Sequence, residues 1–295
     1  MSASRSPNSS RSAWAGRISL LVVLLGLASL LLYRNLLPEL ASSILHREDA
    51  SHGVFIPIIS GYLVWHGRQR IQDIKPSYSI YPGLLTIAGG LTLALATRNS
   101  EEVFLPALSF LLVAVGLVIA ILGKQVFKEL AFPICFLATM FPIPKGIYEK
   151  LAEAMRMSTT SGSVWLLQLC GFPIYREGYS ISMANIDLFV AMACSGIRYL
   201  IPYFVFGLAY AYLTRSTLKS RILLVLATVP LAILAGTLRQ TSVFLSAYYI
   251  GPFMAEHRPH VMTSWAVFVS VLAAAIWLDH QFHPQTSHSA TPDAI

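Results

Sequence analysis

An all-α integral membrane protein with about eight transmembrane helices, and a short helix and hairpin outside the membrane, is the fold class that this 295-residue sequence predicts. Two observations predict it. Hydrophobic residues make up 55% of the chain and charged residues 12%, at a mean hydropathy of +0.63, whereas a soluble domain carries about 25% charged residues. The apolar residues also fall in runs near the length that crosses a bilayer, about 20 residues, with shorter spans tolerated inside a bundle. The whole of 1–295 reads as a single polytopic domain.

The first run extends from Arg17 to Leu37. Its apolar part suits a signal peptide, but no small-x-small cleavage site follows, so it is read as a span behind a cytoplasmic tail, 1–16. Further spans are expected at Gly53 to Trp65, Pro82 to Thr97, Val103 to Leu122, Leu130 to Phe141, Gly196 to Leu213, Ile222 to Tyr249 and Val261 to Leu278, with 279–295 as a second cytoplasmic tail. The long connection, 142–195, is expected outside the membrane. It holds an amphipathic stretch, Tyr148 to Leu169, whose Trp165 suits the outer membrane surface. Ile174 to Val190 alternates in part and contains Glu177-Gly178 and Asn185-Ile-Asp187, and it reads as a hairpin that either caps a site or pairs with an extended substrate.

Orientation follows from the basic residues. With the N-terminus inside, the inner segments hold Arg5, Arg11, Arg17, Arg68, Arg70, Lys75, Lys124, Lys128, Arg215, Lys219 and Arg221, and the short outer ones hold Arg34, Arg47, Arg98 and Arg258. Both termini are thus expected in the cytoplasm. The net charge of +7 is read as this topology signal, because no basic stripe interleaved with aromatics points to nucleic acid. Three cysteines are too few for a disulfide framework and lack metal-ligand spacing, so no metal and no cofactor is expected.

This map brings three side chains to the outer face. Cys194 lies where the chain enters the sixth span; Ser195 and Gly196 then supply a tight turn and a helix cap, and a helix N-terminus favours a thiolate. Cys135 and Cys170 read as packing residues. Arg239 lies in the outer part of the seventh span, where an arginine needs a partner, a wet cavity or a reach to the headgroups. His260 opens the eighth span, and His257 precedes it by three residues; either can carry a proton near neutral pH. A cysteine, an arginine and a histidine make up the inventory of covalent acyl transfer. Rival readings are a transporter, in which Arg239 binds an anion and Cys194 packs, and a non-catalytic assembly factor for surface polysaccharide export.

At these residues the sequence resembles the exosortase/archaeosortase family of multipass membrane transpeptidases, over about Ser51 to Leu278. The segments that carry the resemblance are Ser51-His-Gly-Val-Phe-Ile-Pro-Ile, Phe141-Pro-Ile-Pro, Gly171-Phe-Pro-Ile-Tyr-Arg-Glu-Gly, Ala193-Cys-Ser-Gly-Ile-Arg, Leu238-Arg, and His260 followed by Trp265 and Phe268. The chain departs from the family pattern at Gly236, where many members have Asn, and at Ser264, where many have Gly. The resemblance implies Cys194 as nucleophile, Arg239 as stabiliser and His260 as acid/base, with His260 preferred to His257 for its spacing to Trp265 and Phe268. Arg239 either holds the oxyanion or binds an acidic residue of the substrate.

The same resemblance implies a prokaryotic inner membrane location with the site on the extracytoplasmic face. It also implies a substrate: a secreted, membrane-tethered protein whose C-terminal sorting signal joins a motif such as Pro-Glu-Pro, a membrane helix and a basic cluster. Membrane lipids surround both partners, and the acceptor nucleophile is left open among water, a lipid amine and a glycan. Arg198, Glu177, Asp187, His52, His257 and Ser195 are supporting candidates. Glu177 and Asp187 either orient His260 or Arg198 or are solvated loop charges, and His52 is either near the site or interfacial.

Overall fold

The structure, a computed structural model, describes residues 31–46, 52–74, 77–184, 186–251 and 257–282. The N-terminal tail, most of the first expected span and the last residues of the C-terminal tail lie outside them. Helices dominate: α1 (Leu36–His46), α2 (Phe55–His66), the short α3 (Arg68–Gln72), α4 (Ile80–Ala96), α5 (Phe104–Leu137), α6 (Lys145–Leu169), α7 (Ile197–Thr214), α8 (Leu218–Tyr249) and α9 (His257–Phe282). Between α6 and α7 lie β1 (Ile174–Glu177), β2 (Ser180–Met183) and β3 (Ile186–Phe189), then a 3-10 turn, Met192–Cys194. The chain divides into two compact units, Met1–Lys145 and Gly146–Ile295.

In the first unit, α4 packs against the first part of α5 along a seam of small residues, in which Gly83 faces Ala120 and Gly116 faces Ile87. Lipid tails are as apolar as leucine, so helices in a membrane associate through such close backbone approach and not through the hydrophobic effect. A straight 34-residue α5 would be about 50 Å long. Yet the Lys145 N–H donates to Glu102 Oε1 at 3.1 Å, and Ala107 and Leu111 share one core cluster with Ile134, Leu137 and Phe141, completed by Leu40 and Ile44 of α1. The chain therefore doubles back within α5, at Gly123, whose φ of 89° and ψ of 168° are the non-helical angles there. The Ser77 carbonyl closes on this turn so tightly that a Cβ at residue 123 would lie 2.0 Å from its oxygen. The first limb, 104–122, matches the run Val103 to Leu122, and the second, 124–137, overlaps the run Leu130 to Phe141 but starts six residues before it.

The second unit gathers α6 to α9 and the sheet. Tyr199, Leu200 and Tyr203 of α7 pack with Ala232 and Ala235 of α8 and with Val267 and Phe268 of α9. Polar clamps fix α7 to α9: Tyr199 Oη donates to the Ser264 carbonyl at 3.2 Å, Tyr203 Oη to the Phe268 carbonyl at 3.0 Å, and Tyr210 Oη to Asp279 at 2.9 Å. Arg215, one of the basic residues counted as inner, pairs with the same Asp279.

The structure alters three expectations and bears in part on the number of spans. Among the described residues only Phe104–Met140, which takes in the 3-10 extension of α5, and α8 are long and apolar enough to cross a membrane by length and composition, with α4 apolar but shorter. The first expected span lies mostly outside the described residues, and the other apolar runs form helices that are shorter or more polar than this measure asks. The fold is mostly helical but not all-α, and Ile174 to Val190 forms two hairpins in place of one, an antiparallel meander in the order β1-β2-β3. The amphipathic stretch buries one face inside the second unit: Ala152, Met155, Thr159, Ser163, Val164 and Leu167 of α6 are buried, and Ser163 Oγ donates to the Thr237 carbonyl of α8 at 3.0 Å, while Trp165 is exposed. Finally, α9 continues to Phe282, beyond the boundary expected at Leu278.

Replacing Gly123 by alanine imposes both a positive φ and a clash with a backbone oxygen, and it is expected to cost about 2–3 kcal/mol. Thermal unfolding of the purified protein in detergent should show a clear drop for Gly123→Ala and none for Gly89→Ala, since Gly89 has open space around its Cβ position.

Candidate active site

Cys194 ends the 3-10 turn that connects the sheet to α7. Its N–H donates to the Ala191 carbonyl at 2.9 Å, and Ser195 N–H donates to that of Met192 at 3.0 Å, so two tight bonds set the turn. Gly196 follows at φ 80°, the left-handed region, and serves as the N-cap of α7. The buried Ser195 contributes only a long bond, Ile197 N–H to Ser195 Oγ at 3.5 Å, so the glycine and not the serine caps the helix. This turn lies against α8. A Cβ on Gly236 would stand 3.8 Å from Gly196 Cα and 2.6 Å from Thr159 Cγ2 of α6. Three chain segments thus meet at one point because two of them lack a side chain there.

Arg239 lies one turn beyond Gly236 on α8. It is 5% exposed, which rules out the reach to headgroups, and its Nε donates to Ser264 Oγ of α9 at 2.8 Å. Arg239 and Cys194 wall the same small cavity of about 80 Å³, together with Leu188, Phe189 and Val190 from the sheet and Gln240, Val243 and Phe244 from α8. His260 belongs to the first turn of α9. Its backbone position is four residues before Ser264, about 6 Å along the axis and on the same helix face. The side chains of His257 and His260 lie outside the described residues.

The remaining sequence candidates are dispersed. Arg198 is exposed in the first turn of α7, and Glu177 is exposed at the end of β1, the strand farthest from the cavity in the sheet. Asp187 is exposed on β3 beside Leu188. His52 belongs to the first unit, in the turn before α2. Among the described residues no group of three or more His, Cys, Asp or Glu side chains could hold a metal ion.

Sequence reasoning missed three contributors. Gln240, 4% exposed, lines the cavity; its Nε2 donates to Thr160 Oγ1 of α6 at 3.1 Å, and its Oε1 has no partner. Its signal was the polar run Arg239-Gln-Thr-Ser within an apolar helix. Ser264 was noticed only as a departure from a family pattern, although it orients Arg239. Arg156, one more basic residue in the long connection by sequence, is 8% exposed, and its guanidinium carbon lies 3.5 Å from the Tyr179 ring centre and 5.4 Å from that of Phe189. Glu153 joins this cluster, pairing with Arg156 at 3.6 Å and accepting a hydrogen bond from Tyr179. That bond, then partial burial, holds the Tyr179 phenol above the ordinary tyrosine range. The cluster pins the sheet to α6 and so fixes the cavity wall that Phe189 forms.

Chemically, the cavity joins a partly exposed thiol to a buried, oriented cation, with a histidine position one turn from the group that orients the cation. A nucleophile beside a fixed positive charge suits attack on a carbonyl whose oxygen gains negative charge. A family model described as transmembrane exosortase, of the EpsH type, matches residues 41–277. No curated protein and no solved structure matches the chain.

The meeting of Gly196, Gly236 and Thr159 is directly testable. Gly236→Ala overpacks it and is expected to cost about 1–3 kcal/mol in thermal stability. Thr159→Ser deletes only the obstructing methyl, keeps the bond to the Met155 carbonyl, and should restore most of the loss in the double variant.

Proposed function

Because the chain belongs to the transmembrane exosortase family, we propose that it is a membrane-embedded cysteine protease and transpeptidase that processes C-terminal sorting signals of exported proteins. The substrate signal consists of a short motif such as Pro-Glu-Pro, a membrane helix and a basic cluster. The reaction takes place on the outer face of a prokaryotic inner membrane, with eight spans and both termini inside. The reversal of α5 at Gly123 supports counting its limbs as separate spans, and the distribution of basic residues supports the orientation.

In this reading Cys194 Sγ, deprotonated by His260, attacks the carbonyl carbon of the scissile peptide bond. Arg239 faces the oxyanion that forms. The bond to Ser264 holds its guanidinium in place before charge develops, so no reorganisation opposes the reaction. As the tetrahedral intermediate collapses, the C–N bond breaks, His260 returns the proton to the leaving amine, and a thioester remains on Cys194. An acceptor nucleophile then takes the acyl group and frees the thiol. A signal helix lodged in the bilayer would hold its motif at the interface, so binding of the anchor supplies the proximity that the chemistry needs.

The observation that carries this reading is the shared cavity: Cys194 and Arg239, from separate segments of the chain, wall one space of about 80 Å³. An ordinary packing cysteine has no reason to face a buried arginine, whose insertion costs at least about 2.5 kcal/mol.

Co-expression with a tagged substrate tests it. Cys194→Ala is expected to abolish processing, while Cys135→Ala and Cys170→Ala process normally; full processing by Cys194→Ala would defeat the mechanism. Arg239→Ala and His260→Ala should each lower the rate by about 100-fold or more at unchanged expression. A membrane-impermeant maleimide applied to intact cells should label Cys194 in a variant whose Cys135 and Cys170 are both replaced by alanine, which checks the orientation independently; no labelling would place the thiol inside.

A further inference from the structure

The wall of the cavity opposite α8 is the last strand of a sheet, and its hydrogen-bonding pattern can be read. β3 pairs with β2 as Met183 with Ile186, Ser182 with Asp187, Ile181 with Leu188 and Ser180 with Phe189. The Val190 N–H donates to the Tyr179 carbonyl at 2.9 Å, which extends the ladder by one pair. In an antiparallel ladder bonded and non-bonded pairs alternate, so Ile186, Leu188 and Val190 turn their N–H and C=O groups toward β2. Asp187 and Phe189 turn theirs the other way. Among the described residues no backbone group pairs with them on that side, and β3 ends the sheet.

Across the cavity, α8 offers a second unmatched main-chain-like group. The Gln240 side chain is 4% exposed, its amide nitrogen is engaged by Thr160, and its carbonyl oxygen has no partner. A buried amide oxygen left unpaired costs free energy that a ligand N–H would recover. Strand β3 also leads directly to the thiol, with only Val190 to Ala193 between Phe189 and Cys194. Phe189, 69% exposed, offers an aromatic surface at this edge, held by Arg156.

We propose that this cleft is a subsite for an extended peptide, bound as a fourth strand on the free edge of β3, with one of its N–H groups donated to Gln240 Oε1. The inference rests on the acyl-transfer reading above and adds how the substrate is held. Recognition next to the cut is through the peptide main chain, with alternate residues bonded to Asp187 and Phe189. The occupant is the substrate segment adjoining the scissile bond, since an added strand on β3 runs toward Cys194. Such binding tolerates varied side chains at the bonded positions but demands an unbroken, extended backbone.

The test uses the full-length protein in detergent and synthetic peptides that cover the cleavage segment of the substrate processed in cells, each with one backbone N-methyl group. An N-methyl removes one donor and leaves the side chain unchanged. The expected result is a drop in kcat/KM of about 10-fold or more at every second residue and a change under about 3-fold at the residues between, save the one whose N–H meets Gln240. A uniform response, or none, overturns the strand-addition proposal while the parent peptide is still cleaved. The Gln240→Leu variant supplies a second measure: it should lower kcat/KM on the parent peptide about 10-fold and make one particular N-methyl harmless, because the bond that the methyl removes is already gone. A variant that is slower on all peptides in equal proportion assigns Gln240 to packing and overturns its part. If Cys194→Ala cleaves the parent peptide as the wild type does, the acyl-transfer reading fails and this inference falls with it.

Discussion

Where Gly196 meets Gly236, two chain segments come together with no side chain between them, and Thr159 of α6 fills the remaining space. Most of the second unit depends on that contact. It sets the level of the Cys194 turn on α8, and Arg239 follows one helical turn later. A larger residue at either glycine would push the thiol away from the cavity that it shares with the guanidinium. Gly236 lets the backbones approach closely, and the arginine one turn on is steadied from α9, by Ser264.

Polar groups in the second unit are arranged to be used in pairs. The tyrosines of α7 donate to carbonyls of α9, and Ser163 of α6 donates to a carbonyl of α8. In an apolar surrounding an unmatched polar group is costly, so each such bond specifies a register between helices as well as adding stability. The result is that α6, α7 and α9 are each indexed to α8 or to one another by at least one directional contact. Against this background the unpartnered oxygens at Gln240 and Thr241 stand out, and they occur together on the stretch of α8 that reaches the cavity.

Much of this was legible in the sequence. Apolar runs located α2, α4, α7, α8 and α9 to within a few residues, because a membrane helix is specified mainly by composition. Cys194 and Arg239, which wall one cavity, stood out because each residue type is out of place in its surroundings. Three things escaped. The third strand is only four residues long and its turn lacks a glycine, so alternation showed one hairpin where two exist. The buried stripe Thr159, Thr160 and Ser163 on α6 drew no attention, since hydroxyl residues that bond back to their own helix look hydrophilic in one dimension. Arg156 was passed over because the rings of Tyr179 and Phe189 that receive it come from another part of the chain.

The turn at Gly123 has a consequence for the membrane as a whole. Whether α5 crosses once or reverses and crosses again is a question of parity, and every later segment inherits the answer. If residues 104–137 were a single straight rod, each connection after it would change sides, and a thiol reckoned to face outward would face the cytoplasm. In the proposed topology, one residue with a positive φ, held closed by the Ser77 carbonyl, sets the sidedness of a cysteine seventy-one residues further along the chain. The apolar runs part at this place, and the backbone geometry gives the reason.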